Sequence, residues 1–419
     1  MSHDNHSTTP SATRPDRRTF LRAVGATGLT GGLAGCVGGI QGESSDGIGT
    51  VNYGVLNPMT GPYGGLAVGQ RQGAELAVEY VNESDEFDFE IEASYDDTEA
   101  DPSTGRRKAQ KLVEQNDAQY LFGAISSSVA LGLNDFAGKE GVIYNPGAAA
   151  VPITGANCNE YVFRFETSTA QIAEATSAWT VENLGTKVWV HVADYAYGDS
   201  VRDEMKPRMK AANGDVEIVG ESRSELGTSN FGNYISQISN SDADVAVLGM
   251  TGGDLINFVK QAAGQGLNEE VNLMSPTMTF QVVRGALGAD AAGTYGGVRY
   301  VPDLKTGDNQ AFVSAYQDAY DEAPDNFARV SYDSIRMTAR GIQEAGTADP
   351  EEVKETLAGL EVPTIFGPNR FRACDHQAMN PVWMGECVEG DGDVTDVKLH
   401  TKIAGEDAIP PCDETGCSL

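Results

Sequence analysis

Residues 50–81 have the sequence TVNYGVLNPMTGPYGGLAVGQRQGAELAVEYV, and this stretch decides the fold class. The short apolar run over residues 50–56 predicts a buried strand, and the proline- and glycine-rich residues 57–69 predict a loop. The next apolar residues repeat with the i, i+3, i+4, i+7 spacing of one buried helix face: Ala74, Ala77, Val78 and Val81. Strand, loop and amphipathic helix in this order form the first unit of an α/β fold.

The same unit recurs along the chain in two series. The first continues with strands at 87–95, 119–123 and 142–145 and helices at 102–115 and 128–139. The second alternates helices at 171–184, 199–212, 230–239 and 254–265 with strands at 187–192, 217–222, 245–248 and 271–274. The last segment has helices at 309–320, 332–345 and 350–360, is poor in strand signals, and is expected to complete both sheets. Strands that alternate with helices of roughly ten or more residues predict two Rossmann-like lobes, each a parallel sheet covered on both faces.

Length and charge narrow the class of protein. The chain has 419 residues, which is more than one ordinary core accommodates and agrees with two lobes. Its 61 acidic and 29 basic residues give a formal net charge of −32, which argues against binding to nucleic acid and against electrostatic adsorption to anionic membranes. The carboxylates are scattered rather than clustered, which is typical of a hydrated surface and suits a halophilic protein.

The first 35 residues have the pattern of an export signal. Arg17 and Arg18 precede a glycine-rich apolar stretch that ends in Leu-Ala-Gly-Cys at Cys36. The arginine pair resembles a twin-arginine signal, and the last four residues resemble the lipobox of exported lipoproteins. We therefore expect a signal over 1–35, a lipid on Cys36, a flexible tether over 36–49, and a location on the extracellular face of the cell membrane.

Five further cysteines follow Cys36, at positions 158, 374, 387, 412 and 417. Outside the cell they are expected to form one or two disulfides, with Cys412–Cys417 as one candidate that closes a small C-terminal loop. No Cys-x-x-Cys pair occurs and few histidines remain after the signal, so neither a metal site nor a cofactor is predicted.

The sequence lacks the common catalytic motifs. No phosphate-binding Gly-x-x-x-x-Gly-Lys-Ser/Thr, no Gly-x-Gly-x-x-Gly after a strand, no Gly-x-Ser-x-Gly and no His-Glu-x-x-His is present. His191 lies within an apolar strand, which favours a core histidine over a general base. Asp391, Asp393 and Asp396 only loosely resemble a calcium loop, because the glycine and the terminal glutamate are misplaced. The chain is therefore expected not to be an enzyme.

Ligands of doubly wound sheets bind beyond the carboxyl ends of the strands, so the relevant loops follow from the strand pattern. They are residues 57–69, 123–128, 145–150, 193–198, 249–253 and 275–280. These loops contain small, hydroxylated and aromatic residues rather than charged ones, which indicates a modest polar ligand held by backbone amides, hydroxyls and tyrosine rings.

Several of these loops carry recognisable motifs. VLNPMTGPY at 55–63, followed by RQGAELA at 71–77, resembles the opening of type I periplasmic solute-binding proteins of the branched-chain amino-acid transport family. Similar motifs follow in order at 95–97, 101–102, 122–128, 145–148, 197–198 and 375–377, so the resemblance covers roughly residues 50–390. It implies two Rossmann-like lobes joined by three crossovers, which capture a solute and deliver it to an ATP-driven permease.

The resemblance assigns residues to the lobes and to the site. It implies an N-terminal lobe of 50–166 and 298–380, a C-terminal lobe of 167–297 and 381–400, and a tail of 401–419. It also implies that a serine at the start of the helix after residue 126 binds a ligand carboxylate, where backbone N–H groups converge as well. The expected ligand contacts are Tyr63, Ser126, Ser127, Ser128, Gly147, Ala148, Ala149, Tyr195, Tyr197, Thr251 and Thr277.

Two departures from the family pattern affect the ligand. Ala148 to Ala150 stand where amino-acid binders place a threonine, and Thr277 follows Pro276 where they place an acidic residue. A buried ammonium without a partner is costly, so either Asp194 or Asp254 replaces that acid or the ligand is not a free amino acid.

The expectation is a monomeric binding component of an ABC importer for a branched-chain or other small amino acid. The alternatives are a binding protein for a neutral amide or urea-like solute, a ligand sensor or adhesive surface protein on the same fold, and a surface hydrolase.

Overall fold

The computed structural model describes residues 47–419 apart from Asp391 and Asp393. The predicted export signal with Arg17 and Arg18, the lipid-bearing Cys36 and nearly all of the tether therefore lie outside the described residues.

The first sheet is formed by four parallel strands in the order β2-β1-β3-β4. They are β1 (Gly49–Asn57), β2 (Phe89–Asp97), β3 (Tyr120–Gly123) and β4 (Ile143–Pro146). Three helices connect them: α1 (Gly64–Glu83), α2 (Pro102–Asn116) and α3 (Ser127–Glu140). The Asp101 carboxylate accepts a hydrogen bond from the Thr104 N–H and Pro102 opens the helix, so both N-terminal signals of α2 are used.

The second sheet has seven strands in the order β13-β12-β9-β8-β7-β5-β6. Its parallel part consists of β5 (Lys187–Ala193), β6 (Glu217–Ser224), β7 (Val245–Gly249), β8 (Asn272–Met274) and β9 (Tyr295–Val298). β12 (Val382–Val388) pairs antiparallel with both β9 and β13 (Asp396–Ile403). The sheet's helices are α4 (Thr169–Asn183), α5 (Ala196–Ala212), α6 (Gly232–Ser239), α7 (Gly252–Gly264) and α8 (Gln281–Leu287).

The chain then returns to the first sheet. Helices α9 (Asn309–Tyr320), α10 (Asn326–Ala345) and α11 (Pro350–Leu357) share one apolar core with β1, β2 and β3, and the hairpin β10 (Glu361–Thr364) and β11 (Gly367–Arg370) follows them. The short helix α12 (Gly405–Ala408) lies near the end of the chain. α2 and α3 cover the opposite face of the first sheet, so both faces are buried.

Three crossovers join the two sheets, at residues 147–168, 299–308 and 371–381, and the first and third lie side by side. The Arg164 N–H donates to the His376 carbonyl at 2.9 Å, and the Ala378 N–H donates to the Arg164 carbonyl at 2.9 Å. The buried Arg164 guanidinium donates to the Ala150 carbonyl at 2.6 Å, and burial lowers its pKa to about 9. Backbone pairing of this kind makes the crossovers a defined joint rather than loose linkers.

The predicted α/β class with two parallel-rich sheets is confirmed, and the return segment is where the prediction was wrong. That segment adds β9, β12 and β13 to the second sheet but no strand to the first. α10 begins six residues before its predicted start, because Asp325 caps it by accepting from the Phe327 N–H at 2.9 Å. The glycines at 296 and 297 weaken the strand signal of β9 in the sequence, so this strand was not predicted. Its neighbours in the sheet stabilise it.

Two disulfides link Cys158 to Cys417 and Cys374 to Cys412. The predicted Cys412–Cys417 pair is therefore wrong. The C-terminal residues run back over the first crossover, where a Cβ on Gly155 would lie 2.7 Å from the Thr415 carbonyl oxygen, and this path carries Cys417 to Cys158. Cys387 is a free, buried thiol in β12 whose pKa is raised to about 11 by burial.

Two further findings concern the described part of the chain. None of its helices combines the length and the apolar character that a bilayer crossing requires. Nor do its histidine, cysteine and carboxylate side chains form a group of three or more that could hold a metal ion. His191 is a satisfied core histidine, as expected, with Nδ1 2.8 Å from the Ser222 hydroxyl and a pKa lowered to about 4 by burial.

Candidate functional site

Loops from the carboxyl ends of both sheets meet around a small cavity. The first sheet contributes the loops after β3 and β4, and the second contributes those after β5, β7, β8 and β9. The lining residues are Ile125, Gly147, Ala148, Ala149, Tyr195, Tyr197, Thr251, Thr277, Arg299 and Phe327. All of these residues are buried except Tyr195, which is half-buried, so the cavity lies in the interior of the described structure.

Most of the predicted ligand contacts line this cavity: the loop 147–149, both tyrosines 195 and 197, Thr251 and Thr277. Tyr63 lies beside it, with its ring centroid 6.4 Å from that of Tyr195. The hydroxyls of Tyr63, Tyr197, Thr251 and Ser126 are buried and have no hydrogen-bond partner among the described residues. A buried hydroxyl without a partner costs about 1–3 kcal/mol, so these four groups indicate a ligand or water in the completed site.

The hydroxyls of the three adjacent serines differ in their hydrogen bonds. The Ser127 hydroxyl accepts from the Ala150 N–H at 3.2 Å, and the Ser128 hydroxyl accepts from the Ala196 N–H at 3.3 Å. These two side chains therefore hold the neighbouring loops, and Ser128 joins a loop of the first sheet to the start of α5. Only Ser126 of the three keeps its hydroxyl without a partner in the described structure.

A strained turn after β3 positions Ser126. Gly123 has φ +124°, and a Cβ at this position would lie 2.1 Å from the Leu56 carbonyl oxygen. Ala124 has φ +54°, in the left-handed region that residues other than glycine rarely adopt. The chain therefore reverses within two residues, and α3 begins directly at the cavity, with Ser126 as its N-cap.

Three helices begin at this place. The N-cap residues of α3, α5 and α7 are Ser126, Tyr195 and Thr251, and none of the three caps its helix with a side-chain hydrogen bond. Each N-terminus carries partial positive charge and N–H groups that lack an intrahelical partner. Because α3 belongs to one sheet and α5 and α7 to the other, an anion between them would be held from both sides.

The two sheets also touch each other directly around the cavity. The Gly253 N–H at the start of α7 donates to the Pro62 carbonyl at 3.1 Å. Gly252 allows this approach, since a Cβ there would lie 2.7 Å from the same carbonyl oxygen. The cavity is thus closed on this side by the loop after β1 and the start of α7.

Arg299 is the charged residue of the lining. It follows β9 directly and is 2% exposed. Its Nη1 donates to Glu166, whereas Nε and Nη2 have no partner among the described residues. Its guanidinium carbon lies 5.0 Å from the centroid of Phe280, so one face of the group is covered by an aromatic ring.

Glu166 lies in the first crossover and is fully buried. It accepts from the Asn326 amide at 3.2 Å and faces Nη2 of Arg329 at 3.7 Å. One carboxylate is therefore shared by two buried guanidiniums, Arg299 and Arg329. Burial lowers the pKa of Arg329, and Glu166 opposes that effect.

The two candidates for an ammonium partner are engaged with other groups, although Asp254 is close enough to Tyr63 and Tyr195 to add to the rise in the pKa of both hydroxyls that burial causes. Asp194 is exposed and forms a salt bridge with Arg223 at 2.6 Å. Asp254 is buried in the first turn of α7, where it accepts from the Gly227 N–H at 3.0 Å, and burial raises its pKa to about 6. Neither residue lines the cavity.

Arg299, Phe327 and Ile125 line the cavity but were not among the predicted contacts. Arg299 and Phe327 belong to the return segment, whose strand β9 was not predicted. The signal in the sequence is an arginine directly after a small apolar run, Gly-Gly-Val-Arg at 296–299, which places a charge at the carboxyl end of a strand. Phe327 packs edge to face on Phe280 with ring centroids 5.5 Å apart.

Comparison with known proteins agrees with this architecture. A family model described as periplasmic binding protein matches residues 50–393. The leucine-, isoleucine-, valine-, threonine- and alanine-binding protein of Pseudomonas aeruginosa is 23% identical over 321 residues, which cover 75% of this chain and 84% of that protein.

Solved structures show the same fold. A periplasmic binding protein from Burkholderia mallei has a TM-score of 0.81 and 23% identity, with 88% of this chain and 99% of that chain covered. An ABC-transporter solute-binding protein from R. palustris, in complex with benzoate, has a TM-score of 0.76 and 26% identity, with 88% and 100% covered. These relatives are binding proteins of transporters and not enzymes. With four fifths of its length matched by the family model, the chain belongs to the periplasmic binding protein family.

Proposed function

We propose that the protein is the extracytoplasmic solute-binding component of an ABC importer and that it captures a small carboxylate-bearing solute in the cavity between its two sheets. The observation that carries this proposal is the set of unpartnered donors in one buried cavity: the hydroxyls of Tyr197 and Thr251, two nitrogens of Arg299, and the Ser126 hydroxyl beside it. Donors that converge from both sheets fit a solute that bridges them.

The branched-chain amino acids are the first solute candidates. The P. aeruginosa relative is named for leucine, isoleucine, valine, threonine and alanine, and the R. palustris protein holds benzoate. Amino acids and benzoate share a carboxylate, which supports a site built around that group. A neutral amide or urea-like solute is the second candidate, because no acidic residue lines the cavity in the described structure.

The proposed mechanism is closure of two lobes about the crossovers. The N-terminal lobe would comprise 50–166 and 298–380, and the C-terminal lobe 167–297 and 381–400. Opening would separate Gly253 from Pro62 and Ala196 from Ser128, which are contacts between the sheets, and would leave each sheet intact. A solute that touches both lobes then favours the closed form.

The remaining parts of the proposal concern the partners. The protein would act as a monomer on the extracellular face of the membrane, held by a lipid on Cys36, and would present its closed form to a permease. A ligand sensor on the same fold would bind solute equally well but would not need the permease, so uptake by cells that lack the permease genes distinguishes the two roles.

A thermal-shift screen of the purified protein tests solute capture. The solutes are branched-chain amino acids, polar amino acids, small carboxylates, amides and urea, each far above its expected Kd. Because a ligand that binds only the folded state stabilises it, a saturating solute should raise Tm by several degrees; a hundredfold excess over Kd adds about 2.7 kcal/mol. If every class leaves Tm unchanged, solute capture as proposed is wrong.

A further inference from the structure

Arg299 is the one residue with a charged side chain among the described residues that line the cavity. Its Nη1 donates to Glu166, whereas Nε and Nη2 are buried without a partner among the described residues. The Tyr197 hydroxyl lies beside this guanidinium: burial raises the pKa of that hydroxyl, and Arg299 opposes the effect. A guanidinium presents its donors in a planar fork that fits a carboxylate, so the two nitrogens and the neighbouring hydroxyl define a place for an anionic oxygen.

Glu166 is not a dedicated partner of Arg299. It is shared by Arg299 and Arg329, and two nitrogens of Arg329 are also without a partner in the described structure. Asp333 lies on the same helix as Arg329, and both Asp333 and Asp308 pair with Arg336. Three guanidiniums and three carboxylates therefore balance across this buried network, so the free donors of Arg299, rather than a net charge, mark a place for a ligand oxygen.

The cavity lining offers no comparable binding group for a solute ammonium. Asp194 is engaged with Arg223 at the surface, and Asp254 is engaged with the Gly227 N–H outside the lining. Asp325 is buried and has one free oxygen, but it lines a different groove, together with Gly69 and Gln72. A buried ammonium beside Arg299 would face a like charge and no carboxylate of its own.

The other residues of the lining favour a solute whose remaining part is apolar. Ile125, Ala148, Ala149 and Phe327 contribute apolar surface, and Tyr195 and Tyr197 stand with ring centroids 6.0 Å apart. The cavity is small, so the solute is small as well.

We infer that the solute is a small monocarboxylate without an ammonium group, and that Arg299 determines this specificity by binding the carboxylate through Nε and Nη2. The inference rests on the proposed function and narrows its substrate class.

Matched solutes test the inference on the unmodified protein by isothermal titration calorimetry. Isocaproate is leucine without its ammonium group, and isocaproamide replaces the carboxylate by a neutral amide; hydrocinnamate, phenylalanine and hydrocinnamamide form the second set. Hydrogen bonds to a charged group are stronger than those to a neutral one, so each carboxylate should bind at least about 10-fold more tightly than its amide. It should also bind at least about 10-fold more tightly than the matching amino acid, because the latter buries an unpaired ammonium.

A variant assigns the effect to Arg299. Arg299→Gln leaves Glu166 paired with Arg329 and bonded to the Asn326 amide, and should reduce carboxylate affinity at least about 10-fold while amide affinity changes less than about 3-fold. Arg223→Gln is the control, since this arginine pairs with Asp194 and Asp199 at the surface and should leave all affinities unchanged. Circular dichroism and Tm show that each variant is folded.

The outcomes separate the two proposals. Leucine or phenylalanine binding as tightly as its carboxylate, or tighter, overturns the inference and leaves solute capture intact. An amide that binds as tightly as its carboxylate also overturns it. If neither set binds and the broader screen is likewise negative, solute capture itself is wrong, and the inference falls with it.

Discussion

Arg299 lies in a crossover between the two sheets and contributes a buried guanidinium to the cavity lining. Its guanidinium is buried, and one edge is bonded to Glu166 while the other is free. A buried donor without a partner costs about 1–3 kcal/mol, so the empty site is less stable than a fully paired core would be. In the proposed function, a solute supplies the missing acceptor and offsets this cost.

Residue-level prediction from the sequence succeeded where the strand pattern was clear. The loops after β4, β5 and β7 were located correctly, because a polar residue that ends an apolar parallel strand must lie at the carboxyl edge of the sheet. Their side-chain roles were not accessible in this way. Ser127 and Ser128 bind loop amides rather than remaining free, and this depends on how the 147–150 loop and α5 pack against α3.

Gly123→Ala should be strongly destabilising. Its φ of +124° is unfavourable for an L side chain, and the Cβ would overlap the Leu56 carbonyl oxygen at 2.1 Å. We expect a loss of about 2–4 kcal/mol in the free energy of unfolding, measured by urea denaturation. Gly132→Ala on α3 is the matched control, because its Cβ meets nothing within 4 Å and the change should be neutral or stabilising. Equal stabilities of the two variants would contradict the strained turn.

At the scale of elements, the convergence of α3, α5 and α7 follows from the topology. Each of these helices follows a parallel strand, so its N-terminus must lie at the same edge of the sheet as the strand's carboxyl end. From the alternation in the sequence we predicted that the loops after the parallel strands meet at one edge of each sheet. The alternation did not predict β12 and β13. These strands form an antiparallel pair at the edge of the sheet with no crossover helix between them, and β13 is largely exposed.

Each of the two disulfides links the C-terminal residues to another segment of the fold. Cys158–Cys417 holds the last residues on the first crossover, and Cys374–Cys412 holds them on the third. Local spacing suggested Cys412–Cys417, whereas the observed partners are 38 and 259 residues apart and are brought together by the crossovers. The pairing of these cysteines therefore cannot be deduced from the sequence alone.

Removing both disulfides by substituting Ala for Cys158, Cys374, Cys412 and Cys417 should lower the free energy of unfolding by about 2–5 kcal/mol per bond. A reductant should lower the Tm of the unmodified protein but leave that of the variant unchanged, and Cys387→Ala should keep the response to reductant. Peptide mapping without reduction checks the connectivity. A peptide that joins Cys412 to Cys417 would show that the pairing described above is not the one in solution.

At the scale of the whole molecule, the acidic surface and the nearly uncharged cavity are separate features. Most acidic residues of the described part of the chain lie at the surface, while the described cavity lining contains an arginine and no acid. An anionic solute therefore approaches against the overall field and is bound by local donors. Composition predicted the surface charge, but only the packing of the return segment places a positive charge inside.

The same surface predicts a salt response. Self-repulsion destabilises the folded state and is screened by salt, so Tm should rise steeply with sodium chloride and level off once the screening length falls below about 5 Å. Differential scanning calorimetry measures the curve, and sucrose is the uncharged control. A linear rise without levelling, matched by sucrose, would indicate solvent exclusion rather than charge repulsion.

Glu166 connects the cavity to the joint between the lobes. Its carboxylate binds Arg299 of the second crossover, and its carbonyl accepts from Gln377 of the third at 2.9 Å. In the proposed function, the guanidinium that binds the solute also bonds to this junction. Departure of the solute and separation of the proposed lobes would then share one rate, and the residence time of the solute would be the lifetime of the closed molecule.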